Sequence, residues 1–508
     1  MARLGRVNAM TAADDQIREA LEARESFVLD AGAGSGKTYS LINALNHLRS
    51  DVWREKFRAN RQLIACITYT NVAKDEILER TEHDDLLRVA TIHEFLWSLI
   101  RDYPAELKAA VAKLNDELPD RSSRKKDPEH LAEAFAQGVR VAYSEFGSNF
   151  LEGRISHDDL LAVARHMFDD YPRLSALVGA RFPVILVDEY QDTSALVVEI
   201  LVDCLRRHTT NTVVGFFGDK RQAIYPNVVG ELSEQHLSQL VPIKKEENYR
   251  CSLAVLELLN KLRDDIQQAP AGENAKGAVR FIGLRPAPNC SIRTAYESVA
   301  DDLEDAPSFE ETKILYLTHR LISREAGYAQ LLGAYSKRGG YRKDEFQAGT
   351  EAAISFIAFV VNELAEAWQK GDEVRALQLL QVHDFRIHSH GQLEQTRMTL
   401  DRLSELLTGN APVRDVMALV SDSDLLTIPD RLGDYLELAC KPDDQVEDDD
   451  RKDHEWISLL LDVPFTEISA YRRIHQNSTP YSTQHGVKGQ EFHTVILVLG
   501  STPFPRTV

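Results

Sequence analysis

Cysteine is scarce in this 508-residue chain. The five present, Cys66, Cys204, Cys251, Cys290 and Cys440, are odd in number and scattered, with no Cys-x-x-Cys pair. They read as reduced, mostly buried thiols in a cytoplasmic protein. Long apolar runs are missing too. No stretch reaches the ~20 residues of a membrane span, and Arg3 and Arg6 have no apolar core behind them, so neither an anchor nor a signal peptide is expected. Positive charge is the third shortage: 59 Lys and Arg face 79 Asp and Glu, a net charge of −20. That balance excludes binding nucleic acid by bulk attraction and leaves open a local basic or aromatic track. Asp443, Asp444, Glu447, Asp448, Asp449, Asp450 and Asp453 concentrate much of the acidity in a run that reads as a solvated loop, with a protein-contact surface as the alternative.

What is present is core-forming material with an α/β rhythm. Hydrophobic residues make up 43% of the chain, and its length suggests roughly three or four domains. Strand-like runs at Leu63–Thr68, Val184–Val187 and Thr212–Phe217 alternate with helical patterns, as in a parallel, doubly wound sheet. Between about Arg101 and Asn149 the pattern turns helical and polar, with a basic knot from Arg121 to Lys126. Strand signals resume at Val279–Leu284 and Lys313–Thr318, lapse into helices from about Ala334 to Ser478, and return at Thr494–Leu499. No repeat of short period is visible. The expected architecture is α/β: two parallel-sheet cores of P-loop type, each interrupted by a mainly helical insertion.

Two motifs carry chemistry. Ala31-Gly32-Ala33-Gly34-Ser35-Gly36-Lys37-Thr38 follows the strand-like Ser26-Phe27-Val28-Leu29 and precedes a helical pattern to about Leu48. Ala33, Gly34, Ser35 and Gly36 would turn backbone N–H groups toward phosphate oxygens, and the helix dipole would add to them. Lys37 would reach the β- and γ-phosphates, and Thr38 would offer a hydroxyl to Mg²⁺. The strict pattern has Gly where Ala31 stands. About 150 residues later, Asp188 and Glu189 end an apolar run and are followed by Tyr190-Gln191-Asp192-Thr193-Ser194. Asp188 can bind the metal or a metal-bound water, while Glu189 can orient or deprotonate the water that attacks the γ-phosphate. Gln191 would face the γ-phosphate or a coupling motif.

The order of motifs from about Gln16 to Val495 resembles the superfamily 1A DNA helicases of the UvrD, Rep and PcrA type. The resemblance implies two RecA-like cores, at 1–101 with 150–245 and at 246–334 with 480–508, split by helical insertions at 102–149 and 335–479. It implies ATP with Mg²⁺, and 3′ to 5′ movement on single-stranded or partly duplex DNA. Gln16 lies where the family's adenine-reading glutamine lies. Tyr39 stands where the family has an arginine over the base, and an aromatic ring can stack there. Thr68, Tyr69 and Asn71, like His93 of Thr91-Ile92-His93, match motifs that line the DNA path. Gly218-Asp219-Lys220-Arg221-Gln222-Ala223-Ile224-Tyr225 is similar to the motif joining the two sites, in which Gln222 would sense the γ-phosphate and Tyr225 would stack on a base. Asn227 and Val228 replace the family's next aromatic and arginine, so one or two stacking contacts of about 1–3 kcal/mol each are expected to be missing.

In Asn248-Tyr249-Arg250 the resemblance makes Tyr249 a second stacking ring and Arg250 an arginine finger, while Thr318-His319-Arg320 with Ser323 and Arg324 is only loosely similar to the next motif. In Thr483-Gln484-His485-Gly486-Val487-Lys488-Gly489-Gln490-Glu491-Phe492, Thr483 and His485 would approach DNA and Glu491 would bond the nucleotide or order the cleft. The family's last motif, with its second arginine, has no counterpart in Ser501–Val508, and a truncated version of a longer protein is expected. Chain length, the compact first insertion and segments such as Gln222–Asn227 also resemble stand-alone bacterial members paired with a nuclease in antiphage defence, the Gabija helicase subunit among them. A nuclease is therefore a candidate partner, and no membrane is. The alternative reading is an ATP-binding regulatory subunit that senses DNA ends without processive unwinding.

Overall fold

This computed structural model describes residues 10–499 apart from 123, 145–146, 209–211, 224–227, 284–291, 301–305, 339–340, 384, 424, 449 and 477. The chain divides into two compact units, Met1–Phe281 and Ile282–Val508.

The first unit is built on a six-stranded sheet in which every pairing is parallel. In chain order its strands are β1 Phe27–Ala31, β2 Ile64–Thr68, β3 Leu87–Thr91, β6 Val184–Asp188, β7 Val213–Gly218 and β8 Val241–Lys245, arranged β3-β2-β6-β7-β1-β8. The numbers β4 (Ala142–Tyr143) and β5 (Arg154–Ile155) belong to a short separate parallel pair, its first strand within the expected insertion, which also holds the helices Pro104–Glu117 and Pro128–Ala136, and its second just past it. β2, β6 and β7 are buried at every position, as expected of parallel strands covered by helices on both faces. Helices α1 (Ala12–Ala23) and α2 (Lys37–Leu48) pack over one side. Register aligns the strand ends: Asp30 lies opposite Gly218, and Asp188 opposite Phe217. The loops leaving β1, β6 and β7 thus emerge together at the carboxyl edge, where open α/β sheets hold ligands.

The sequence reading starts a second core at 246. In the structure β9 (Glu247–Asn248), the helix Leu253–Leu262 and β10 (Ala269–Pro270) fall within the first unit, because their polar side chains bond to the phosphate loop. The strand expected at Val279–Leu284 is not formed over 279–283, and Phe281 is 83% exposed. Leu284 lies outside the described residues.

The second unit has a three-stranded parallel sheet, β12-β11-β13, formed by β11 Lys313–Tyr316, β12 Tyr481–Thr483 and β13 Val495–Leu497. The helical stretch between β11 and β12 makes its own core around Tyr335, Ile354, Ile357, Trp456, Leu460, Phe465 and Tyr471. One 25-residue run, Glu345–Gln369, is long and apolar enough to cross a membrane by length and composition. Its most apolar window is 56% buried, and Ile354, Ile357, Val361 and Leu364 are core residues of the unit. Of the acidic run, Asp444, Glu447, Asp448 and Asp450 are exposed, as a solvated loop would have them.

Candidate functional site

β1 delivers the chain into the phosphate loop. Gly34 (φ 79°) and Gly36 (φ 83°) take the left-handed backbone that L side chains rarely adopt, so the loop can curl ahead of α2. Ser35, buried, closes it on itself by donating from Oγ to the Gly32 carbonyl at 2.7 Å. Lys37 opens α2. Its ammonium is buried, donates no hydrogen bond, and is ion-paired at 3.6 Å to Glu189 Oε2. A desolvated cation at a helix N-terminus, facing curled backbone, fits a nucleotide's phosphates, since an anion there would relieve the burial cost.

Asp188 ends β6 and is buried. Burial first, and the neighbouring Glu189 charge second, push its carboxyl well above the usual carboxylate range, with Lys37 opposing. A bound cation would reverse that direction. Among the described residues no group of three or more His, Cys, Asp or Glu could hold a metal by itself. The Thr38 hydroxyl and the Asp188 carboxylate instead suit a hard cation shared with phosphate oxygens, which is how Mg²⁺ is usually bound. When bound, magnesium and ATP would supply the phosphoryl group and the counter-charge for its transfer. Glu189 stands at φ 49°, a strained position for a non-glycine residue that persists only where the surroundings over-determine it. The next residues supply that support. Tyr190 donates to Asp30 Oδ1 at 2.6 Å, and Gln191 donates from Nε2 to Glu189 Oε2 at 2.5 Å.

Gln191 also reaches the motif after β7. Its Oε1 accepts from the Asp219 backbone N–H at 3.0 Å, and Gly218 is obligatory between them, since a Cβ there would lie 2.3 Å from that oxygen. Asp219 in turn accepts from Gln222 Nε2 at 2.7 Å. One buried amide thus bridges the acidic strand end and the coupling motif, the second of the two positions open to Gln191 from sequence.

The Asn248–Gln268 segment closes on the loop. Asn248 Nδ2 donates to the Ala33 carbonyl at 2.7 Å, the Tyr249 N–H to Gly34 at 3.0 Å, and Gln268 Nε2 to Ala33 at 3.3 Å. A Cβ on Gly34 would lie 3.0 Å from Arg250 Cβ, so Arg250 stands at the loop with its side chain exposed. The Tyr249 hydroxyl is pushed up by burial first, then by the charges of Glu247, Asp14 and Tyr39. Gln16 lies exposed on α1. Sequence reasoning assigned no role to Asn248, Arg263 or Gln268. The signal for Asn248 was its place beside Tyr249; none marked the other two.

A family profile described as "AAA domain" matches residues 15–227, which hold the phosphate loop, the acidic strand end and the motif after β7. Across 95% of its length the chain is 23% identical to Gabija protein GajB of Bacillus cereus (strain HuB5-5), spanning 86% of that protein. Across 46% of its length it is 27% identical to ATP-dependent DNA helicase PcrA of Bacillus subtilis (strain 168). The chain is similar to UvrD/PcrA-like superfamily 1 helicases. The chain spans 37% of the length of that PcrA. Its superposition on the Pif1 helicase from Candida albicans covers 63% of this chain and 53% of that one at 12% identity and a TM-score of 0.32, too loose to bear weight.

The residues that the helicase resemblance assigns to DNA lie in both units. Tyr69 and Asn71 are exposed after β2. Thr68 is fully buried and its hydroxyl donates to the Thr70 carbonyl at 3.1 Å, so it shapes that turn and does not offer its hydroxyl to a strand. His93 packs against His157, ring centroids 4.3 Å apart, and against Tyr143 of the insertion. Tyr225 lies outside the described residues. In the second unit Thr483 is buried and accepts from the Gly486 N–H at 3.0 Å, while His485 and Glu491 are exposed.

Proposed function

We propose that the chain is an ATP-driven motor on DNA, moving 3′ to 5′ along a single strand and separating duplex ahead of it. The observation that carries this reading is the continuous polar path Lys37, Glu189, Gln191, Asp219, Gln222, which joins the phosphate site to the motif that runs into Tyr225. A motor needs such a path, because hydrolysis must change the grip on the strand. Glu189 orients and deprotonates the attacking water, and Gln222 senses the γ-phosphate. Arg250 steadies charge in the transition state, a role worth about 10³-fold in rate. Gln16, Tyr39 and Tyr249 hold the base, Thr38 and Asp188 hold Mg²⁺, and Glu491 hydrogen-bonds the nucleotide. In the first unit Tyr69, Asn71, His93 and Tyr225 contact DNA, and in the second Thr483 and His485 do. Similarity to the Gabija protein along 95% of the chain favours antiphage defence in the cytoplasm, with a nuclease as partner, over general repair.

A strand-displacement assay run beside a DNA-stimulated ATPase assay tests the proposal. Stimulation with unwinding supports it. ATPase without unwinding supports the second reading, an end-sensing regulatory subunit, which Asn227-Val228 and the net charge of −20 favour. No DNA stimulation at all would sink both.

A further inference from the structure

Arg263, just past the helix Leu253–Leu262, is a heavily engaged cation at the phosphate loop, and nothing in the motif order marks it. Its side chain is 8% exposed. NH1 and NH2 fork onto the two Asp219 oxygens at 3.1 Å each, while Nε and NH2 bond Asp265 at 2.9 and 3.1 Å. The same guanidinium lies against the loop: a Cβ on Gly32 would meet Arg263 NH1 at 2.8 Å and Gln268 Nε2 at 2.5 Å. Gln268 is 4% exposed, and its Oε1 has no hydrogen-bond partner.

Asp219 is saturated. Oδ1 accepts from the Arg221 N–H and Arg263 NH2, and Oδ2 from Gln222 Nε2 and Arg263 NH1. Gln222 and Arg263 thus share one carboxylate oxygen, so a shift in either changes the hold on the other. The path from Lys37 through Glu189, Gln191 and Asp219 returns by Arg263 to Gly32, and forms a ring that begins and ends on the phosphate loop.

We infer that Arg263 is a positioning residue that couples occupancy of the phosphate loop to the Asp219–Gln222 motif, and through it to DNA grip. The inference rests on the motor reading above. Arg263 neutralises Asp219 beside the phosphate site, where an unpaired carboxylate would repel the nucleotide, and its rigid fork makes movement of the loop at Gly32 felt at the oxygen that holds Gln222. Lysine keeps the charge but cannot fork onto two carboxylates.

The test uses the whole chain with Arg263→Lys. It reads the thermal midpoint, KM and kcat of DNA-stimulated ATPase, and the ratio of Kd for an oligo-dT strand with and without a non-hydrolysable ATP analogue. The expected result is KM within about threefold, kcat down about tenfold or more, and a Kd ratio near one, which separates loss of coupling from loss of uniform binding. Arg263→Gln combined with Asp219→Asn and Asp265→Asn, which removes both carboxylates that Arg263 bonds, covers the case in which the lysine variant fails to fold, and it too should lose the ratio. If either folded variant keeps the wild-type ratio and kcat, Arg263 is only a structural brace and the inference falls. A wild-type chain without DNA-stimulated ATPase would overturn the motor reading before any variant is made.

Discussion

Lys37 and Glu189 face each other at 3.6 Å, and their substitution should separate binding from chemistry. Lys37→Ala removes the buried cation, so binding of a fluorescent ATP analogue should be lost; unchanged affinity would unseat the phosphate-loop assignment. Glu189→Gln keeps an acceptor for Gln191 but no base. It should bind ATP with Mg²⁺ normally and turn over about 10²-fold or more slowly, and single-turnover hydrolysis distinguishes the two. His93 carries a pH signature. Burial first, and His157 second, push its imidazole down to about 4, below the ~6.5 of an unfolded chain. A depressed histidine favours the folded state fully above pH ~6.5, and that contribution is lost as pH falls toward 4. Thermal midpoints should therefore fall over that window, and less steeply in His93→Gln. Equal slopes would rule out His93 as a source.

α1 is held in place by one residue of the sheet. Lys245, on β8 and 1% exposed, donates to Thr11 Oγ1 at 3.0 Å, to Ser40 Oγ at 2.8 Å and to both Asp14 oxygens at 3.4 Å. It thereby pins the N-terminus of α1 to the first turn of α2. Although burial raises the Asp14 carboxyl, bonds to Ser40, Thr11 and Lys245 outweigh it and leave the value lowered. Lys245→Met would strand that buried carboxylate and should cost roughly 3–5 kcal/mol in denaturant unfolding; a loss below about 1 kcal/mol would show that Asp14 finds water instead. The turn after β7 has no spare room either. Gly218→Ala puts a methyl 2.3 Å from Gln191 Oε1 and 2.4 Å from the Tyr190 ring, so stability should drop by about 1–3 kcal/mol. ATPase should fall with it as Gln191 is displaced, and activity kept at full stability loss would mean the Gln191 bridge is dispensable. The glycine loop, the acidic strand end and the alternating strands were legible in sequence because each is set by neighbours a few residues apart. The strand expected at 279–283 was misread because Val279, Phe281 and Ile282 look like a strand by composition, while among the described residues no partner strand covers them.

Each unit carries its own apolar cores, drawn from residues of the first unit in two clusters and from residues 296–471 in the second. A fragment ending at Phe281 should therefore unfold cooperatively and still bind an ATP analogue, as circular dichroism and fluorescence titration would show; an unfolded fragment would mean the second unit is needed for stability. The sequence by itself determined the class of chemistry. Lys37, Thr38, Asp188 and Glu189 are meaningful at their spacing whatever surrounds them, since a phosphate loop and a metal-binding strand end are local devices. Tertiary structure alone decided how the site is closed. Asn248, Arg263 and Gln268 lie more than two hundred residues along the chain from Gly32 and Ala33, and meet them only because β1 sits between β7 and β8 in the sheet. No periodicity records that order, because strand order follows from the summed burial of all six strands rather than from any one segment.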